Sequence, residues 1–118
     1  LKSILSIFKL LFSGLRAGGK EQSLKHADLK KSEIKIIDVR TPQEFKFGHI
    51  EGAVLIPFDE IGNKIAKTVT DKNAPIALYC QSGSRSGAAY RTVESMGYTN
   101  AVNYGGISGA KRVLDAKN

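Results

Sequence analysis

Four short apolar runs, at residues 34–39, 53–56, 76–79 and 101–104, are rich in β-branched residues and show little polar alternation. Runs of that kind suit strands buried on both faces, because a strand with one wet face would alternate apolar and polar side chains. Between and around them lie stretches of helical character at 23–31, 42–47, 58–69, 84–96 and 107–116. Strand and helix in alternation predict an α/β domain with a doubly wound parallel sheet and helices on both faces. Two boundaries can be read chemically. Thr41-Pro42-Gln43-Glu44 is a capping box with Pro at the first helical position, so the chain turns into a helix directly after the first strand. Gly97 stands where the 84–96 helix should stop, offering the left-handed conformation that a helix C-terminus favours.

With 118 residues the chain is one domain's length, and its single cysteine excludes an internal disulfide and cannot alone supply a zinc or iron–sulfur site. The net charge of +7 raises the question of nucleic acid. The excess sits largely at the front: residues 1–20 hold Lys2, Lys9, Arg16 and Lys20 and no acid, which leaves 14 basic against 11 acidic residues afterwards. A body so nearly balanced, without Trp, lacks the electrostatic footprint of a nucleic-acid binder.

The front segment is a domain element of its own, an amphipathic basic helix with a Gly-rich linker over 1–20, followed by the folded domain over 21–118. Leu1, Ile4, Leu5, Phe8, Leu11, Phe12 and Leu15 form one helical stripe, with Lys2, Lys9 and Arg16 on another face. Such a helix can lie on a membrane surface through residues 1–16, pack on the body or a second chain, or serve as a leader peptide. It is too interrupted by charge to span a bilayer. The compartment expected is cytoplasmic, since a reduced environment fits a single working thiol, with membrane association through this helix as an option; one cysteine is compatible with the periplasm too.

The chemistry concentrates in Tyr79-Cys80-Gln81-Ser82-Gly83-Ser84-Arg85-Ser86-Gly87. A buried strand ends on a cysteine, and a small, polar, flexible loop follows and becomes a helix. In an open parallel sheet this is the carboxyl end of a strand, where ligands sit. Gly83 lets successive N–H groups turn inward, and the helix N-terminus adds partial positive charge, so the loop should hold an anion. A Cys80 thiolate beside those amides and the Arg85 guanidinium would be a nucleophile near neutral pH. The plainer alternatives are a small core residue at Cys80, a solvated first-turn residue at Arg85, and turn or cap duty for Ser82, Ser84 and Ser86. Asp38 and Arg40 are alternate residues at a strand end and point the same way, which favours a bracing salt bridge over proton transfer. His49 reads as a structural hydrogen bonder, and His26 as part of a helical surface.

At these residues the chain resembles the rhodanese, or sulfurtransferase, family, specifically the small single-domain bacterial type. The resemblance runs from about residue 23 to the end. It includes Ile37-Asp38-Val39-Arg40, the capped helix with Glu44 and Phe45, Gly48-His49-Ile50-Glu51-Gly52-Ala53, Ile56-Pro57, the loop from Cys80 to Ser86, and Tyr104-Gly105-Gly106. It implies a sheet of about five strands. It also implies that Cys80 accepts a sulfane sulfur from a donor such as thiosulfate or a persulfide and passes it to cyanide or a thiol. Gln81, Ser82, Gly83, Ser84, Arg85 and Ser86 would bind the anionic donor, Asp38 and Arg40 would stand behind them, and neither metal nor organic cofactor is needed. The expected partners are thus a small anionic sulfur donor and a thiol acceptor. One departure stands out: many relatives carry Trp shortly after the double glycine, whereas here Ile107-Ser108-Gly109-Ala110 follows, which alters the pocket wall.

Two other functions use similar parts. A Cys-dependent phosphatase or arsenate reductase also has a cysteine in an anion-binding loop, but the signature phosphatase loop sets five residues between Cys and Arg, and here there are four. A catalytically inactive binding or regulatory module on the same fold would commonly lack the cysteine, which this chain retains.

Overall fold

The computed structural model describes residues 24–117. The leader helix, the linker and the membrane contact expected of residues 1–16 lie outside them. Eight principal elements follow in order: β1 (Lys35–Asp38), α1 (Pro42–Lys46), β2 (Val54–Leu55), α2 (Ile61–Thr68), β3 (Ile76–Cys80), α3 (Ser84–Ser95), β4 (Ala101–Gly106) and α4 (Ile107–Asp115). A short 3-10 turn, Lys31–Glu33, precedes them. The strands pair in parallel in the order β2-β1-β3-β4. No described helix is long and apolar enough to cross a membrane.

All five residues of β3 are buried, which explains their unbroken apolar run. Ile76, Leu78 and Cys80 join Ile61, Ile65, Ala89 and Val93 in a cluster under α2 and α3. Ala77 and Tyr79, on the opposite face, pack with Ile36, Ile50, Ala110 and Leu114 under α4. The period of two in side-chain direction therefore persists, with both faces covered. The connection from β1 leads outward to β2, whereas that from β3 leads outward to β4 on the other side. Strand order thus reverses between β1 and β3, and in open α/β sheets the crevice at such a reversal is where ligands bind. The segment after Asp38 and the loop after Cys80 both open there.

The chemically read boundaries are present. Thr41 and Glu44 close the capping box, with Glu44 N–H donating to Thr41 Oγ1 at 3.2 Å and Thr41 N–H donating to Glu44 Oε1 at 3.0 Å. Gly97 has φ +96°, and the N–H groups of Gly97 and Tyr98 donate to the carbonyls of Glu94 and Val93, a Schellman cap.

The strand count differs from the one expected, and two expectations need correction. The sheet has four strands among the described residues, against about five; the residues themselves offered four apolar runs. The 23–31 segment is not a regular helix in its described part. Ala27 and Leu29 donate to Leu24 and His26, each three residues back, before the 3-10 turn. The reason lies in His26, which is buried instead of solvated. Its Nε2 lies 2.9 Å from the Asn100 carbonyl and its Nδ1 2.8 Å from the Tyr104 hydroxyl. A carbonyl only accepts, so Nε2 carries the proton and Nδ1 accepts from Tyr104. The segment is wound to reach β4.

Candidate active site

Cys80 closes β3, and its sulfur is enclosed by the loop that follows. Gly83 occupies the left-handed region with φ +108°, which no β-branched residue would adopt readily, and caps the start of α3. That turn directs the Gly83 N–H at Cys80 Sγ from 2.9 Å and the Ser86 N–H from 3.3 Å. Ser86 Oγ lies 3.4 Å from the sulfur and donates to the Gly83 carbonyl at 3.0 Å. A thiol can donate to that hydroxyl; a thiolate would instead receive its proton. Burial pushes the Cys80 thiol up, as the largest single influence. The Ser86 hydroxyl and the amides of Ser86, Gly83 and Ser82 outweigh it together and bring the thiol below its ordinary value. The side chain of Cys80 is fully covered, but the surrounding peptide groups face inward.

The floor of the loop is the end of β4. Register shifts between Leu78 and Tyr79, whose partners are Asn103 and Gly105, so Tyr104 is an extra residue in β4. Gly105 has φ +80°, and its N–H donates to Asn103 Oδ1 at 2.9 Å. The bulge presses the next residue, Gly106, against the loop: a β-carbon there would lie 2.8 Å from the Gln81 carbonyl. This gives the double glycine a steric reason.

Asp38 and Arg40 form a buried ion pair, as their positions predict. Arg40 Nη2 donates to Asp38 Oδ2 at 2.7 Å, and Arg40 Nε to Oδ1 at 3.0 Å. Arg40 also reaches outward, from Nη2 to the Gly48 carbonyl at 2.6 Å and from Nη1 to Gln81 Oε1 at 3.1 Å. Tyr79 joins them, its hydroxyl donating to Asp38 Oδ2 at 2.7 Å and accepting from the Ile50 N–H at 3.0 Å. The network ties β1, the 48–50 segment and the cysteine loop into one unit. The hydrogen bonds to Asp38 hold the Arg40 guanidinium more firmly protonated than usual.

Of the remaining loop residues, Ser82 and Ser84 have exposed side chains, and Gln81 is exposed while bonded to Arg40. Arg85 is half-buried and paired. Its Nη1 and Nη2 donate to Glu44 Oε1 and Oε2 at 2.8 and 3.0 Å. That bond and the backbone of Thr41 hold the Glu44 carboxyl at about 2. The sequence sets Arg85 beside the Cys80 thiolate and the donor anion; in the structure the guanidinium is held by Glu44, and the groups that favour the Cys80 anion are the Ser86 hydroxyl and the loop amides. Glu44 was legible only as a cap and Tyr79 only as a strand residue, because nothing local announces a contact 41 residues away. His49 is exposed; its Nδ1 lies 2.9 Å from the Phe45 carbonyl and its ring stacks on that of Phe45.

Comparison with known proteins agrees with this geometry. The family model described as "Rhodanese-like domain" matches residues 22–112. The thiosulfate sulfurtransferase PspE of Escherichia coli is 42% identical over 71 residues, covering 60% of this chain and 68% of that protein. The thiosulfate:glutathione sulfurtransferase of Saccharomyces cerevisiae is 28% identical over 102 residues, covering 72% of this chain and 73% of its own. Among solved structures, a rhodanese with anions from Escherichia coli superimposes with a TM-score of 0.63 at 39% identity, covering 64% of this chain and 89% of that one.

Proposed function

Since the chain belongs to the rhodanese-like domain family, as the match over residues 22–112 shows, we propose that it is a sulfurtransferase working through a persulfide on Cys80. The observation that carries this reading is the inward turn of the loop amides onto Cys80 Sγ, at 2.9 Å from Gly83 and 3.3 Å from Ser86. Amides aimed at a buried sulfur stabilise its anion without a metal or a general base.

The thiolate attacks the outer sulfur of a donor such as thiosulfate, forming a new S–S bond. The donor's own S–S bond breaks, and sulfite leaves with the electron pair. Cys80 then carries a terminal sulfur bearing one negative charge. An acceptor thiolate or cyanide attacks that sulfur, and the Cys80 thiolate is regenerated when the bond to it breaks. Charge is conserved in each half, and the two halves are separate in time, which is ping-pong covalent catalysis. A thiol acceptor draws support from the yeast relative, whose name couples thiosulfate to glutathione. The loop from Gln81 to Ser86 holds the donor, and the Asp38–Arg40 pair keeps the loop in register from behind.

A binding module without turnover finds its support in the complete burial of Cys80. The same experiment decides between the two. Intact mass after incubation with thiosulfate should show a one-sulfur adduct that is absent from Cys80→Ser and removed by cyanide with release of thiocyanate. A protein that takes up no sulfur while remaining folded is the binding module.

A further inference from the structure

Two guanidinium groups border the cysteine loop, and each is matched by a carboxylate of its own. Arg40 reaches Gln81 while held by Asp38, and Arg85, inside the loop, is clamped by both oxygens of Glu44. Residues 80–90 contain no other charged side chain. The formal charges of these side chains cancel. What remains to attract an anion is the set of inward amides and the start of α3, worth about half an elementary positive charge. That suffices for the single charge of a thiolate or a persulfide. A dianionic donor would bring a second negative charge towards a loop with no unmatched cation of its own, Arg91 lying further along α3 beside Gly87, and with the Glu44 carboxylate on its rim.

We propose that Glu44 is a specificity-determining residue: by matching Arg85 it tunes the Cys80 pocket to singly charged sulfane-sulfur donors, an organic persulfide or thiosulfonate, over the thiosulfate dianion. This rests on the sulfur-transfer reading above. The clamp is rigid from both sides. Glu44 Oε1 also accepts from the Thr41 N–H at 3.0 Å and the Thr41 hydroxyl at 3.2 Å, so its carboxylate cannot turn away from Arg85 without opening the cap of α1. Bidentate guanidinium–carboxylate geometry fixes orientation as well as charge.

The substitution that separates charge from structure is Glu44→Gln, since Gln serves the capping box as Glu does but carries no charge. Sulfur uptake from thiosulfate and from benzenethiosulfonate, a monoanion, would be compared in the wild type, Glu44→Gln and Thr41→Ala. Glu44→Gln should raise kcat/KM for thiosulfate about tenfold and that for benzenethiosulfonate only about threefold, because the energy of one nearby charge scales with the charge of the donor. Thr41→Ala, which weakens the cap and keeps the carboxylate, should leave the ratio of the two donors unchanged. If Gln perturbs the fold, Glu44→Ala read against Thr41→Ala isolates the same charge. A ratio that does not move, or thiosulfate turnover that falls, overturns the proposal. A second readout needs no turnover: in Cys80→Ser protein, sulfate and methanesulfonate titrations followed at the Gly83 and Ser86 amides should show sulfate tightening about tenfold on adding Glu44→Gln, and methanesulfonate only about threefold. Sulfate binding that is equal with and without Glu44→Gln refutes the role of Glu44 even if the protein transfers sulfur, and the expected tightening supports it even if the protein does not.

Discussion

Gly106 faces the carbonyl of Gln81 so closely that a β-carbon would lie 2.8 Å from that oxygen and 3.4 Å from the α-carbon of Ser82. Both are backbone atoms, so neither can rotate aside. Gly106→Ala should therefore displace the cysteine loop, at a cost of about 1–3 kcal/mol in urea unfolding. The displacement should also slow alkylation of Cys80 at neutral pH, because the amides that favour the thiolate would move. Gly87 is the contrast. A β-carbon there meets only side-chain atoms, at 3.6 and 3.8 Å, so Gly87→Ala should stabilise α3 by about 0.5–1 kcal/mol. Equal effects of the two substitutions would mean that the β4 end does not support the loop.

The hydroxyl of Ser86 is the side-chain partner that favours the Cys80 anion most among the groups opposing burial. The rate of iodoacetamide reaction against pH reports the thiol directly. The wild-type profile should turn over below the value of an unperturbed cysteine. Ser86→Ala should move it upward and lower the neutral-pH rate several-fold, with the Gly83 and Ser86 amides still in place. An unchanged profile would assign the stabilisation to the backbone alone.

What the sequence revealed and what it concealed divide along the range of the contacts involved. The strand–helix alternation, the Thr41–Glu44 box, the Gly97 cap and the small polar loop after Cys80 are written within a few consecutive residues, where periodicity and capping chemistry act. The Asp38–Arg40 pair was legible for the same reason, being two residues apart at the end of one strand. Glu44 on Arg85, Tyr79 on Asp38 and His26 on Tyr104 join residues 41, 41 and 78 positions apart. Such pairings appear only when the fold brings their elements side by side. His26 shows the cost most plainly: a histidine among Lys25, Asp28 and Lys30 looks solvated, and its partners are Asn100, Tyr104 and Lys117, far along the chain.

Asp38 should matter to stability more than any group it touches. It is fully buried and accepts from Arg40 and Tyr79, so Asp38→Asn leaves the Arg40 guanidinium buried without its countercharge. The expected loss is about 3–5 kcal/mol in urea unfolding. Tyr79→Phe removes one bond to Asp38 and strands the Ile50 N–H, for about 1–3 kcal/mol. Were Tyr79→Phe the more damaging of the two, the hydroxyl and not the ion pair would be the keystone of this network.

Acid should weaken the fold in two separate windows. Burial, with the nearby Lys117 and Lys25 charges, pushes His26 below its ordinary 6.5 in the folded state, while the unfolded chain titrates near that value. Below it, the unfolded state binds the proton more readily, so stability present above pH 6.5 declines as pH falls towards the lower folded value. Protonated Nδ1 can no longer accept from Tyr104, which gives the loss its structural form. Glu44 acts lower, its contribution being present above its ordinary 4.5 and lost as pH falls through about 2. Thermal midpoints measured between about pH 7 and pH 5 should therefore fall in the wild type and stay nearly level in His26→Gln, which is less stable at pH 7 but has no ring to titrate. Parallel curves for the two proteins would show that the acid sensitivity lies elsewhere.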